Sequence, residues 1–63
     1  MTSKKFVTSI YPDAYAIHSP LGVCIMRNND EWQLLSRITY DVSWAWEDAA
    51  ASIRAEMVTI LES

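Results

Sequence analysis

Sixty-three residues with eight acids, five bases and a net charge of −3 make one small domain. The only basic pair is Lys4-Lys5, so direct nucleic-acid binding, which depends on grouped Lys and Arg, is disfavoured. One cysteine excludes an internal disulfide and fits a reducing, cytosolic setting.

Cys24 and His18 alone do not make a zinc site, and no cofactor motif is present. The chain has no recognisable signal peptide and no apolar run long enough to span a bilayer, so it reads as soluble and intracellular, without a membrane partner. A chain this short buries a modest fraction of its surface and is marginally stable. Three Trp, three Tyr and one Phe add buried area. Domains of this size often gain a further stabiliser, and a homodimer is the one left open here.

In chain order, Met1 to Lys5 is polar and reads as a frayed terminus. Phe6 to Tyr11 (FVTSIY) is rich in β-branched and aromatic residues and predicts a strand. Pro12-Asp13 punctuates it, and Ala14 to His18 alternates weakly. Pro12 either sits at a bulge of one long bent strand, the preferred arrangement, or divides two segments. Ser19-Pro20-Leu21-Gly22 is a tight-turn signal, with Pro suited to the second turn position and the chain's only Gly two residues later. Val23 to Arg27 (VCIMR) follows as an apolar strand. Asn28-Asn29-Asp30-Glu31 is the next turn, since Asn and Asp tolerate left-handed φ. Trp32 to Ile38 is a third strand, with Trp32, Leu34 and Ile38 facing one way and Gln33 and Arg37 the other. Short connections favour an antiparallel meander.

The stretch from Ser43 to Glu62 has the only long helical period. Trp46, Ala49, Ala50, Ile53, Met57, Ile60 and Leu61 fall on one side and predict the buried stripe of a helix closing one face of the sheet. Ser43 is an N-cap candidate, with Asp41 competing for the role. Glu47 and Asp48 follow near the positive end of the helix dipole. At about 19 residues this helix is roughly 28 Å long. Trp44, Ala51, Ala55 and Val58 lie almost opposite the stripe. A helix covering a sheet needs one apolar face, so this second strip is either a solvent-facing run of small residues or a contact face for another subunit or a target protein. Tryptophan is enriched at binding hot spots.

Arrangements of catalytic type fail on geometry. In the predicted hairpin His18 faces Val23, so Cys24 lies opposite Ile17 on the other side of the pleat, and no third residue orients the imidazole. Glu47 and Asp48 are adjacent on a helix and point about 100° apart. The acids could form a negative patch of nucleic-acid-mimic type, although helix capping and turn solubility account for them. Tyr11, Tyr15, Trp32 and Trp46 without flanking bases read mainly as core rather than as a base-stacking platform.

Three strings stand in order: YPDAYA (residues 11–16), WQLL (32–35) and AWEDAA (45–50). In that order and spacing, residues 6–62 resemble a loose group of small phage-encoded accessory proteins. That group has a Pro-Asp-Ala entry, a Trp-bearing strand and a helix opening with Ala-Trp-x-x-Ala. The matching residues look structural, and the resemblance carries no general biochemical activity. It implies a bacteriophage or prophage product acting in the host cytoplasm by binding and disabling a host protein, including components of CRISPR or other defence systems.

The fold expectation is α+β: a three-stranded antiparallel sheet, four-stranded if Pro12 divides the first strand, under one long C-terminal helix. The functional expectation is a non-enzymatic inhibitor acting by steric occlusion, with Trp44, Ala51, Ala55 and Val58 as contacts and Glu47 and Asp48 steering association. The alternatives are a structural homo-oligomer whose interface is the Trp44 strip, an acidic nucleic-acid mimic, and an enzyme using Cys24.

Overall fold

The computed structural model describes residues 2–29 and 31–62, with backbone alone at Asn29, Glu31, Leu61 and Glu62. The elements run α1 (Ser3–Ile10), β1 (Tyr15–Ser19), β2 (Gly22–Asn29), β3 (Glu31–Leu34) and α2 (Val42–Glu62). The three strands form one antiparallel sheet in the order β1-β2-β3, with β2 central. The α+β architecture read from the sequence is therefore present: a three-stranded meander with a long C-terminal helix against one face.

The N-terminal segment differs from the strand expected over Phe6 to Tyr11. It is a helix, and its first turn takes in Ser3, Lys4 and Lys5, where the polar sequence predicts a frayed terminus. Met1 lies outside the described residues. Thr2 caps this helix, its Oγ1 accepting the Lys5 amide at 3.2 Å. Tyr11 N–H closes the last turn on the Val7 carbonyl at 2.7 Å, and Pro12 follows where a helix cannot continue. Phe6, Val7 and Ile10 stand on one side, against α2 and the core. Val7 is completely buried. Packing on α2 thus outweighs the β propensity of Val7, Thr8 and Ile10, a preference worth at most about 1 kcal/mol per residue. Pro12 marks a helix end rather than a bulge, and no fourth strand forms among the described residues.

The β1–β2 hairpin turns at Pro20-Leu21, between the paired Ser19 and Gly22, as the sequence indicated. Ser19 Oγ accepts the Leu21 amide at 3.2 Å and donates to the Gly22 carbonyl at 3.1 Å, which closes the turn. Of the second predicted turn, Asp30 lies outside the described residues; Asn29 and Glu31 on either side of it are paired.

The third strand ends at Leu34, four residues before the expected Ile38. Four residues, 35 to 38, lie between the Leu34–Met26 pair and the Thr39–Val23 bridge, whereas β2 has two residues over the same span. This bulge swings Leu35 and Ser36 into the interior. Thr39 then rejoins β2 through reciprocal bonds with Val23 at 2.7 and 2.8 Å.

Helix α2 begins at Val42, one residue before the expected start. Asp41 is the cap: its Oδ1 accepts the Ser43 amide at 2.8 Å, and its carbonyl accepts the Ala45 amide at 3.0 Å. Ser43 is therefore inside the first turn. Glu47 and Asp48 fall in the second turn, where the dipole acts weakly.

The core lies between one face of the sheet and the two helices. It is built from Val7 of α1, Val23 and Ile25 of β2, Leu35 of the bulge, and Ala45, Trp46, Ala49, Ala50 and Ile53 of α2. The alanines let α2 approach closely. Burial along the expected stripe stops at Ile53. Met57 is 44% and Ile60 70% exposed, and the Leu61 side chain lies outside the described residues. The helix is long, about 31 Å over its 21 residues, and of the three strands it packs mainly on β2. The last turns overrun the body.

Candidate protein-binding surfaces

Side chains alternate across a strand, and paired residues of neighbouring strands share a face. The observed register therefore sorts the sheet into two sides. Ala16, Val23 and Ile25 point at the helices and pack in or against the core. Arg27 shares that side; its Nε donates to Asp13 Oδ2 at 3.2 Å, and its guanidinium lies 4.3 Å from the Tyr11 ring centre.

Among the described residues no layer covers the other side. Tyr15 and Ile17 of β1, Cys24 and Met26 of β2, and Trp32 and Leu34 of β3 all lie on it. The Val23–Thr39 pairing sets Ile38 on this side as well. Trp32 is 64% and Leu34 58% exposed, while Tyr15, Ile17, Cys24 and Met26 are half-buried among their neighbours. Trp32 meets Tyr15 edge-on, with ring centres 6.4 Å apart. None of these seven residues is Asp, Glu, Lys, Arg or His. Three strands and about six residues of length give a footprint of roughly 300 Å², the size at which an apolar patch on a small protein is often functional.

The grouping of Trp32, Leu34 and Ile38 on one side matches the sequence reading, but the group faces outward. Trp32, expected in the core, is instead 64% exposed. Trp46 is buried, and Tyr11 packs against the core as read; Tyr15 belongs to the uncovered face. The missed signal was β2 itself, whose run Val23-Cys24-Ile25-Met26 is apolar on both sides of the pleat.

The strip singled out on α2 is on the outward side of the helix, away from the sheet. Trp44 is 58% and Val58 51% exposed, and Ala51 and Ala55 are exposed between them. Glu47 is exposed beside them. Asp48 is engaged elsewhere: its Oδ2 accepts the Arg37 amide at 2.8 Å and its Oδ1 the Arg37 guanidinium at 3.3 Å. It ties the bulge to α2 and is poorly placed to steer an incoming partner.

His18 pairs with Val23 and Cys24 with Ile17, so thiol and imidazole point to opposite sides of the sheet and are not brought together. Among the described residues no group of three His, Cys, Asp or Glu stands close enough to hold a metal ion. An open hollow of about 640 Å³ lies where the first turns of the two helices meet, lined by Thr2, Ser3, Lys4, Val42, Ser43, Trp46 and Glu47. The Lys4 ammonium reaches to 5.9 Å from the Trp46 ring there. Among the described residues no helix is long and apolar enough to cross a membrane. No family model, curated protein or solved structure matches this chain.

Proposed function

We propose that the chain is a non-enzymatic protein-binding module that inhibits its target by covering part of the target's surface. The observation that carries this reading is the solvent-facing Trp44 at the head of an apolar strip on α2. Tryptophan brings a large contact area at low entropic cost, and here it is 58% exposed and stands outside the core cluster. Ala51 and Ala55 give the strip a smooth floor against which another backbone can lie closely.

The resemblance of residues 6–62 to small phage-encoded accessory proteins gives the target class: a host protein, with a defence component such as a CRISPR effector as the specific candidate. A nucleic-acid mimic has less to draw on. Asp13 is engaged by Arg27, Asp48 by Arg37, and Asp41 by the start of α2. Three acids are thereby withdrawn from any array that would imitate phosphates.

Affinity capture from a bacterial lysate tests the reading. The unmodified chain retains one host protein in stoichiometric amount, and Trp44→Glu loses it while keeping its circular dichroism spectrum. Equal capture by the Trp44→Glu variant, or no stoichiometric protein at all, overturns it.

A further inference from the structure

Helix α1 has few local reasons to be a helix. Isolated helices shorter than ~12–15 residues are marginal in water. This one has eight residues, of which Phe6, Val7, Thr8 and Ile10 favour strands. Val7 alone of the eight is fully buried. We propose that α1 is a strap that opens from α2, pivoting at Tyr11, while α2 and the sheet stay folded. The inference concerns a different part of the molecule from the Trp44 strip and does not rest on the inhibitory reading.

Three observations carry it. The first is electrostatic. The first turns of α1 and α2 meet at the open hollow, so the positive ends of two helix dipoles stand side by side. Lys4 and Lys5 add two cations to the first turn of α1, and that turn has no acid. Cations at a helix N-terminus are disfavoured. Of the residues lining the hollow, Glu47 alone is acidic, and it belongs to α2.

The second observation is how α1 is fastened. It packs chiefly on α2, and among the described residues no backbone hydrogen bond joins it to α2 or to the sheet. Side chains hold it instead. The Arg54 guanidinium lies 4.5 Å from the Phe6 ring centre, and the Lys4 ammonium 5.9 Å from that of Trp46. Both cations are exposed, and at exposed sites such a contact shifts an equilibrium only about 2- to 5-fold. No ladder has to break for α1 to leave.

The third is the pivot. Arg27 of β2 donates to Asp13 Oδ2 at 3.2 Å and lies 4.3 Å from the Tyr11 ring centre. The Ala14 amide donates to the Tyr11 carbonyl at 3.0 Å. The chain is therefore tied to the sheet from Tyr11 onward and free to swing before it. Opening takes Lys4 off the Trp46 ring and Val7 out of the core, which bares apolar surface that the closed chain hides.

Native-state amide hydrogen exchange tests the strap, because it separates local from global opening. In the wild type the Phe6 to Tyr11 amides exchange together, at least ~10-fold faster than those of Ala50 and Ile53 in the middle of α2. Ser36→Ala, which weakens the sheet, quickens Ala50 and Ile53 by ~5-fold or more and leaves the α1 rates where they were. Two substitutions move α1 in opposite directions. Lys5→Glu sets an acid three residues after the Thr2 cap, completing a capping box at the crowded positive ends, and slows α1 exchange ~2- to 5-fold. Phe6→Leu keeps an apolar side chain but removes the ring under Arg54, and quickens it by a similar ~2- to 5-fold.

Equal rates for α1 and for Ala50 and Ile53, shifting together in Ser36→Ala, would make the chain one cooperative unit and overturn the proposal. So would α1 exchange indifferent to Lys5→Glu, a surface change that leaves the core untouched.

Discussion

Ser36 Oγ stands 2.8 Å from the amide nitrogen of Ile25 and accepts its hydrogen, in the middle of the central strand. The bond exists because β3 has left the ladder at this point. Leu35 and Ser36 turn inward, both of their amides reach the Ile25 carbonyl at 2.8 and 3.3 Å, and the serine hydroxyl replaces the backbone acceptor that a regular strand would have offered. The same hydroxyl donates to the Arg37 carbonyl at 3.0 Å. Among the described residues Ser36 is the one buried polar side chain, and it is satisfied both as acceptor and as donor.

Replacing Ser36 by Ala leaves the Ile25 amide without its partner in a dry interior. An orphaned buried donor costs about 1–3 kcal/mol, and in a domain of this size 1 kcal/mol moves the melting midpoint by roughly 4–8 °C. Urea unfolding of Ser36→Ala should show a loss in that range with an unchanged slope. A loss under about 0.5 kcal/mol would mean that Ile25 finds another acceptor.

Gly22 is placed at φ 137°, a region that side-chain-bearing residues rarely adopt. A Cβ there would fall on the Thr39 carbonyl oxygen and within 2.7 Å of Ile38 Cγ2. That carbonyl accepts the Val23 amide, so it cannot move without opening the bridge that leads the chain into α2. Gly22→Ala should cost at least about 2 kcal/mol, the combined scale of backbone strain and lost bonds. Amide exchange should locate the damage, with faster exchange at Val23 and Thr39 than in the rest of the sheet. Protection at those two amides equal to wild type would show that the hairpin absorbs the change.

The hairpin and the long helix were legible because their signals are local: Pro20 and Gly22 fix the turn, and Trp46, Ala49, Ala50 and Ile53 repeat at helical spacing. The register followed from the turn, and with it the separation of His18 from Cys24. Helix α1 was not legible from propensity, since Phe6-Val7-Thr8 favours a strand. Thr2 as a cap, the four-residue step from Phe6 to Ile10, and Pro12 as a stop were the competing signals. The direction of the sheet was not legible for a different reason. Alternation puts Trp32, Leu34 and Ile38 together but is silent on which side meets the helices. The apolar run of β2 offers both sides equally. The bulge that buries Leu35 in place of Leu34 decides the matter, and it arises from tertiary packing that no local motif announces.

Ile53 and Met57 are one turn apart on the same stripe of α2, yet Ile53 is 5% exposed and Met57 44%. The core therefore ends between them. Ile53→Ala removes side-chain carbons from the filled interior and should cost about 2–4 kcal/mol through lost transfer energy and the cavity left behind. Met57→Ala trims a side chain that the body does not enclose, and alanine raises the intrinsic helix preference slightly. It should cost less than about 1 kcal/mol, the range of ordinary surface changes. Guanidinium unfolding of the two variants gives the comparison. Equal losses would mean that the final turns of α2 are held by the body after all, and that the helix does not overrun the sheet.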